Sequence, residues 1–147
     1  MELGSNLELH VPSVPGFEKV AMDFVASVAK MMKLPDDRIE DLKTAVAEAC
    51  INAIEHGNSL DASVKVGISL TVEDSKLRVA IRDEGTGIGQ INPPSIERTL
   101  ASKKRPRGWG IFLIKNLMDE VEFETAPGKG NVVRMVIHLD RKAPPLE

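Results

Sequence analysis

Two alternating segments near the middle of this 147-residue chain constrain its fold more than any other feature. In "SVKVGISLTV" every second residue from Val64 to Val72 is apolar, and "LRVAIRD" repeats the pattern at Leu77, Val79 and Ile81. A period of two is typical of strands that bury one face against a core. Because only the short segment "EDSK" separates them, the two strands are predicted to form a β-hairpin.

An N-terminal strand and a first helix are predicted ahead of this hairpin. The segment "LELHV" alternates apolar and polar residues, as a half-buried strand does. After the break at "VPSVPG", apolar residues recur at helical spacing from about Phe17 onward. The apolar residues at this spacing are Phe17, Val20, Ala21, Phe24, Val25, Val28 and Met31.

A second helix is predicted from about Asp37 to His56. The segment "LPDD" separates it from the first helix and offers either Asp36 or Asp37 as the N-cap. Gly57 suits the C-terminal end of such a helix. The apolar stripe of this helix consists of Ile39, Leu42, Val46, Ala49, Cys50 and Ala53.

The second half of the chain adds one helix and one more strand pair. A glycine-rich loop, "DEGTGIG", and an irregular segment through Arg107 lead to a third helix that begins near Gly108. The strands "EVEFET" and "NVVRMVIHL" follow. Because the strands mostly arrive as hairpins, the sheet is predicted to be mixed and mostly antiparallel. With three main helices on one face, the predicted fold class is an α/β (α+β) two-layer sandwich.

Composition indicates a single globular domain over residues 1–147, with an ordered core at about 6–140 and a flexible tail at 141–147. Hydrophobic residues make up 42% and charged residues 28% of the chain. The net charge of −3 argues against a general nucleic-acid binder. Cys50 is the only cysteine, so no internal disulfide forms. We find neither a signal peptide nor an apolar run of ~18 residues, and we therefore expect a cytoplasmic protein without a membrane span.

The predicted second helix carries polar residues at regular spacing. Glu48, Asn52 and His56 fall four residues apart in "AVAEACINAIEHGN". A solvated polar face is one interpretation of this edge. The other is a site for a metal ion and a proton, since an Asn oxygen suits one position on Mg²⁺ and a Glu one turn earlier can take a proton. Small neighbours such as Ala49 leave room for a close approach.

Two glycine-containing motifs supply further candidates. In "DEGTGIG", Asp83 ends a predicted strand, where a carboxylate can accept a hydrogen bond from an amine; the alternative is a glycine turn with a capping Asp. In "RPRGWGIFLIKN", Gly108 and Gly110 precede a helix, whose free N–H groups attract phosphate. An exposed basic loop is the alternative there.

Taken in order, "ExxxN", "DxGxG" and "GxG" resemble the motifs of the Bergerat-type (histidine kinase-like) ATPases. Within that superfamily, "IEDLKTAVAEACINAIEHGN" and the N-terminal "LELHVPSVPGFEKVAMDFVASVAK" are similar to bacterial anti-sigma factor serine/threonine kinases. The resemblance extends from Leu7 to Leu139. It implies the Bergerat ATP-binding fold, with ATP and Mg²⁺ as cofactors.

The resemblance also implies roles for individual residues. Glu48 would be the catalytic base, Asn52 the Mg²⁺ ligand and Asp83 the residue that reads adenine. Gly85 and Gly87 would form the turn beside the base, and Gly108 and Gly110 the turn that faces the phosphates. A lid at about 90–107 would cover the triphosphate, with either Arg105 or Arg107 near the γ-phosphate. Where many relatives have a Thr near the nucleotide, this chain has Asn131.

The implied function is phosphorylation of an anti-sigma factor antagonist of the STAS-domain type, combined with sequestration of a sigma factor; a homodimer is compatible with it. A non-catalytic, ATP-gated binding switch is the alternative, but such a switch has no use for a base at Glu48. A sensor histidine kinase would need a phosphoacceptor His on an upstream helix. The only N-terminal histidine, His10, lies in a predicted strand.

Overall fold

The structure, a computed structural model, describes residues 4–85, 107–126 and 130–139. Its elements follow the predicted order. They are β1 (Asn6–Pro12), α1 (Glu18–Met31), α2 (Asp36–Asn52), a π-helical turn (Ala53–Gly57), β2 (Lys65–Val72), β3 (Lys76–Asp83), α3 (Arg107–Leu117), β4 (Glu120–Ala126) and β5 (Gly130–His138). None of the helices in these ranges combines the length and the apolar character that a membrane crossing requires.

The five strands form one sheet in the order β1-β2-β3-β5-β4. Every pairing between neighbouring strands of the described ranges is antiparallel. β4 runs in the same direction as β3, but the two strands do not pair, because β5 lies between them. The predicted two-layer sandwich with a mostly antiparallel sheet is confirmed.

The core lies between the inward face of the sheet and the helices. Alternate residues of the central hairpin point inward, as their period of two predicted: Val66, Ile68, Leu70 and Val72 on β2, and Leu77, Val79 and Ile81 on β3. The predicted stripe of α2 is buried throughout, from Ile39 to Ala53. Asp83 continues the inward series of β3, so the sheet carries a carboxylate to the edge of the core.

The predicted apolar stripe of α1 is wider than the face that α1 buries. Ala21, Val25 and Val28 are buried, but Val20 is 45% exposed and Met31 61% exposed. Phe17 precedes the helix and is also exposed. Because α1 packs mainly against α2, a narrow strip of small and β-branched residues suffices for the contact.

Both ends of α2 differ from the prediction. The helix begins at Asp36 after Pro35, and neither aspartate makes a side-chain cap; both lie in the first turn, where negative charge complements the helix dipole. At the other end, α-helical backbone stops at Asn52 and continues as a π-helical turn that contains His56. The amide N–H of Asn58 reaches back five residues to the Ala53 carbonyl, 2.8 Å away. His56 therefore lies in this wider turn and not in the α-helical segment that holds Glu48 and Asn52.

Candidate active site

Asp83 occupies the last inward position of β3, directly opposite Asn131 on β5. Its carboxylate is 5% exposed. Oδ1 accepts hydrogen bonds from the Gly85 amide at 2.8 Å, the Asn131 amide at 3.2 Å and the Asn131 side-chain Nδ2 at 3.0 Å. Three N–H donors therefore fix the carboxylate and stabilise its charge. The sequence predicted Asn131 beside the nucleotide, and the structure brings it to Asp83.

Two glycines allow the backbone to pass directly against Asp83. A Cβ atom at Gly57 would lie 2.2 Å from both Cγ and Oδ2 of Asp83. A Cβ atom at Gly130 would lie 2.1 Å from the Asp83 carbonyl oxygen, and the φ of Gly130 is +83°. Gly57 does end the helical segment, but the approach to Asp83 is what excludes a side chain there. Gly130 was not predicted as a site residue.

Asn58 connects the segments around this carboxylate and was not predicted either. It is fully buried. Its Oδ1 accepts from the Glu84 amide at 2.8 Å, and its Nδ2 donates to Ser13 Oγ at 2.9 Å and to the Lys65 carbonyl at 3.3 Å. An Asn after a helix-ending glycine is the only local signal, because Ser13 and Glu84 lie 45 and 26 positions away in the sequence.

A second cluster forms where α2 meets the start of α3. Glu48 is only 7% exposed, so the solvated-face interpretation is wrong for this residue. A Cβ atom at Gly110 would lie 3.0 Å from Glu48 Oε2 and 3.1 Å from Asn52 Nδ2. The absence of a side chain at Gly110 thus lets the N-terminal turn of α3 sit against the acid and the amide.

The structure describes only some of the remaining predicted site residues. Gly85, at φ +66°, begins the loop after Asp83. Gly108 is exposed, and a Cβ atom there would meet nothing within 4 Å among the described residues. Arg107 is the first residue of α3, while its side chain is outside the description. Gly87, Arg105 and almost all of the predicted lid also lie outside the described residues.

The site residues suit Mg²⁺ with a nucleotide better than a metal held by protein alone. The described ranges contain no group of three or more His, Cys, Asp and Glu residues arranged around a common point. Mg²⁺ commonly binds through one or two protein oxygens, with water and substrate phosphates completing the shell. Asn52 offers one such oxygen at the N-terminus of α3, where free N–H groups favour phosphate.

The fold and the site together define a class: an α/β sandwich with a buried carboxylate at a strand end and a helix N-terminus set against an acid and an amide. Comparison with protein families agrees with that class. The model of the histidine kinase-like ATPase domain matches residues 12–137. The chain belongs to this family.

Similar proteins include the anti-sigma F factor of Bacillus subtilis (strain 168), which is 31% identical over 146 residues, covering 93% of this chain and 94% of the relative. The serine-protein kinase RsbW of the same strain is 32% identical over 128 residues, covering 83% and 79%. Among solved structures, the RsbU and RsbW domains of Rv1364c from Mycobacterium tuberculosis match with a TM-score of 0.68 and 15% identity. That match covers 92% of this chain and 32% of the longer one, and it supports the fold alone.

Proposed function

We propose that this protein is an anti-sigma factor and an ATP-dependent serine/threonine kinase that phosphorylates an anti-sigma factor antagonist. The observation that carries the proposal is the buried Glu48 beside Asn52 and Gly110. A protein that only binds nucleotide needs no buried base at that position. The names of two relatives, an anti-sigma F factor that covers 93% of this chain and a serine-protein kinase that covers 83%, support the anti-sigma and kinase roles.

Nucleotide binding would use both halves of the site. Asp83 would accept a hydrogen bond from the exocyclic amine of adenine, while its own donors keep the carboxylate in place. The N-terminus of α3 would face the phosphates. Asn52 would contribute an oxygen to Mg²⁺, which would neutralise developing charge on the phosphates.

The chemical step would depend on Glu48. Its carboxylate would take the proton from a serine or threonine hydroxyl as the hydroxyl oxygen bonds to the γ-phosphorus of ATP. The bond between that phosphorus and the bridging oxygen breaks, and ADP leaves with the bridging oxygen. Catalysis of this kind rests on positioning and electrostatics more than on covalent chemistry by the protein.

Glu48→Gln separates the kinase from an ATP-gated switch. The amide cannot take a proton, so we expect phosphoryl transfer to fall by about 10²–10⁴-fold, with ATP affinity nearly unchanged. Glu40→Gln is the matched control, because Glu40 is exposed on the same helix. Transfer is measured with radiolabelled ATP and the purified antagonist, and affinity by calorimetry. A Glu48→Gln protein that transfers phosphate at the wild-type rate would refute the catalytic role and favour the switch.

We further propose that the antagonist is of the STAS-domain type, that the kinase acts in the cytoplasm and that it works as a homodimer.

Phosphorylation adds about −1.5 to −2 charges to the antagonist. The product would meet the nucleotide phosphates in the same pocket, so phosphorylated antagonist should bind more weakly than the unmodified form, and ADP should reduce this penalty relative to ATP. Competition binding against purified sigma factor tests this. If phosphorylated and unmodified antagonist displace the sigma factor equally well, partner switching is refuted. Sedimentation of the complex reports the oligomeric state.

A further inference from the structure

The end of α2 that lies far from Glu48 carries a charged clamp made by Arg38 and Asp119. Arg38 Nη2 donates to Asp119 Oδ2 at 2.9 Å, and Nη1 donates to the carbonyl oxygen of Leu117 at 3.2 Å. Nη1 also donates to Asp41 Oδ2 at 2.9 Å. The side chains of Arg38 and Asp119 are 15% and 11% exposed. Partial burial shields this pair from the screening that makes most surface ion pairs weak.

The clamp holds the C-terminal end of α3. Leu117 is the last residue of α3, and Asp119 follows it by two positions. Asp119 Oδ2 also accepts a hydrogen bond from the backbone amide of His138 on β5, at 2.7 Å. One guanidinium therefore connects the start of α2, the end of α3 and the sheet.

The clamp and the active site lie on one stripe of α2. Positions 38, 41, 45, 48 and 52 are spaced three and four apart, so they share a helix face. Arg38 meets the end of α3 and Glu48 meets its start, so the two helices run antiparallel along this stripe. Seven steps of helix rise about 10 Å, and this rise separates Leu117 at the clamp from Gly110 in the first turn of α3.

Apolar packing alone specifies the lengthwise position of α3 poorly. Ile114 in the middle of α3 is fully buried, but Ala45 on the α2 stripe is small and Gly110 has no side chain. Apolar attraction is non-directional, whereas charge-assisted hydrogen bonds from an Arg fork have a defined geometry. A shift of α3 along α2 would move its N-terminal N–H groups away from Glu48 and Asn52.

We propose that Arg38 and Asp119 are positioning residues for the nucleotide site: they fix α3 lengthwise and so hold its N-terminus against Glu48 and Asn52. The inference rests on the proposed function for its ligand, ATP. Neither residue touches the nucleotide in this proposal, and both act through α3.

The test compares Arg38→Gln with Arg134→Gln. Arg134 makes an ion pair with Glu124 on the sheet, with side chains that are 43% and 55% exposed, and it serves as the control for losing a paired arginine. A mutation far from the chemistry that misplaces a functional group can lower activity up to about a hundredfold. We therefore expect Arg38→Gln to weaken Mg·ATP binding by at least about tenfold. Arg134→Gln should leave the dissociation constant unchanged. Asp119→Asn is the second variant, should Arg38→Gln fail to fold.

Trp109 supplies a readout that a general loss of stability does not move. It is the only tryptophan in the chain, it lies between Gly108 and Gly110, and its ring stacks on Phe112 with centroids 6.3 Å apart. Well below the melting temperature, Arg38→Gln should shift the native emission of Trp109, while Arg134→Gln should not. Wild-type affinity and wild-type emission in folded Arg38→Gln would overturn the inference. A wild-type protein that fails to bind ATP would instead refute the proposed function, and the emission comparison would still decide the role of the clamp.

Discussion

At the scale of single residues, the site depends on positions where a side chain is fixed and positions where one is forbidden. Asp83 receives N–H donors on one oxygen, and the Gly57 backbone lies against the other. Short motifs made Glu48, Asn52 and Asp83 candidates, and their roles stay predictions. Asn58 and Arg38 were not predicted, because most of their partners are 26 to 81 positions away.

Gly57→Ala should abolish most ATP binding. The new Cβ atom would need to occupy space 2.2 Å from the Asp83 carboxylate, so either the carboxylate or the π-helical turn must move. Gly67→Ala is the control, since its Cβ would meet only the His10 ring at an ordinary 3.5 Å. Calorimetric titration with Mg·ATP measures both variants. If Gly57→Ala binds ATP like the Gly67→Ala protein, the close contact at Asp83 has no bearing on the nucleotide.

At the scale of elements, α2 supplies Glu48 and Asn52 to the site, and α3 supplies Gly110. The π-helical turn after α2 lets Asn58 reach the end of β3, and such turns are frequent at functional sites. Hydrophobic periodicity predicted both helices but not this turn, because one additional residue in a turn leaves no signature in the apolar pattern. Likewise, the sequence placed two glycines at the start of α3 without distinguishing them.

The two glycines of α3 should respond differently to alanine. Gly110→Ala inserts a methyl group 3.0 Å from Glu48 Oε2 and 3.1 Å from Asn52 Nδ2, so it should lower both transfer and Mg·ATP affinity. Gly108→Ala meets nothing within 4 Å among the described residues and should raise helix stability by up to about 1 kcal/mol. Thermal unfolding and single-turnover transfer would measure the pair. Equal loss of activity in both variants would show that α3 approaches the phosphates with its exposed side.

At the scale of the whole molecule, the core has consequences for the pH dependence of stability. Burial, with a smaller contribution from Glu18, raises the pKa of the Cys50 thiol from 9.0 to about 12. Because the folded-state pKa lies above the unfolded value, the folded protein holds this proton more tightly than the unfolded chain does. The contribution is complete below pH 9 and is lost as the pH rises toward 12.

Urea unfolding between pH 9 and 12 tests this linkage. The free energy of unfolding should fall more steeply with pH in the wild-type protein than in Cys50→Ala, which lacks the thiol. The comparison of the two proteins removes every contribution that they share. Parallel curves would mean that the thiol ionises equally easily in the folded and unfolded states.

The overall architecture was more predictable than the assembly of the site. Strand and helix periods recur along the chain, and they correctly indicated a two-layer sandwich with a mostly antiparallel sheet. The strand order was not predicted, since period alone does not say which strands are neighbours. Spacing does not decide exposure on α1 for a related reason: Val20 and Met31 have helical spacing, but no element in the described part of the chain covers them.

The position of β5 has a consequence for biosynthesis. β5 leaves the ribosome after the other four strands of the described ranges, yet it lies in the interior of the sheet between β3 and β4. Until it emerges, β3 has a partner on one side only, and its free edge is the kind of surface that pairs with other chains. Asn131, which donates two hydrogen bonds to Asp83, arrives with the same strand. The nascent protein therefore joins β4 to the sheet and completes the setting of Asp83 in a single step, once β5 has emerged.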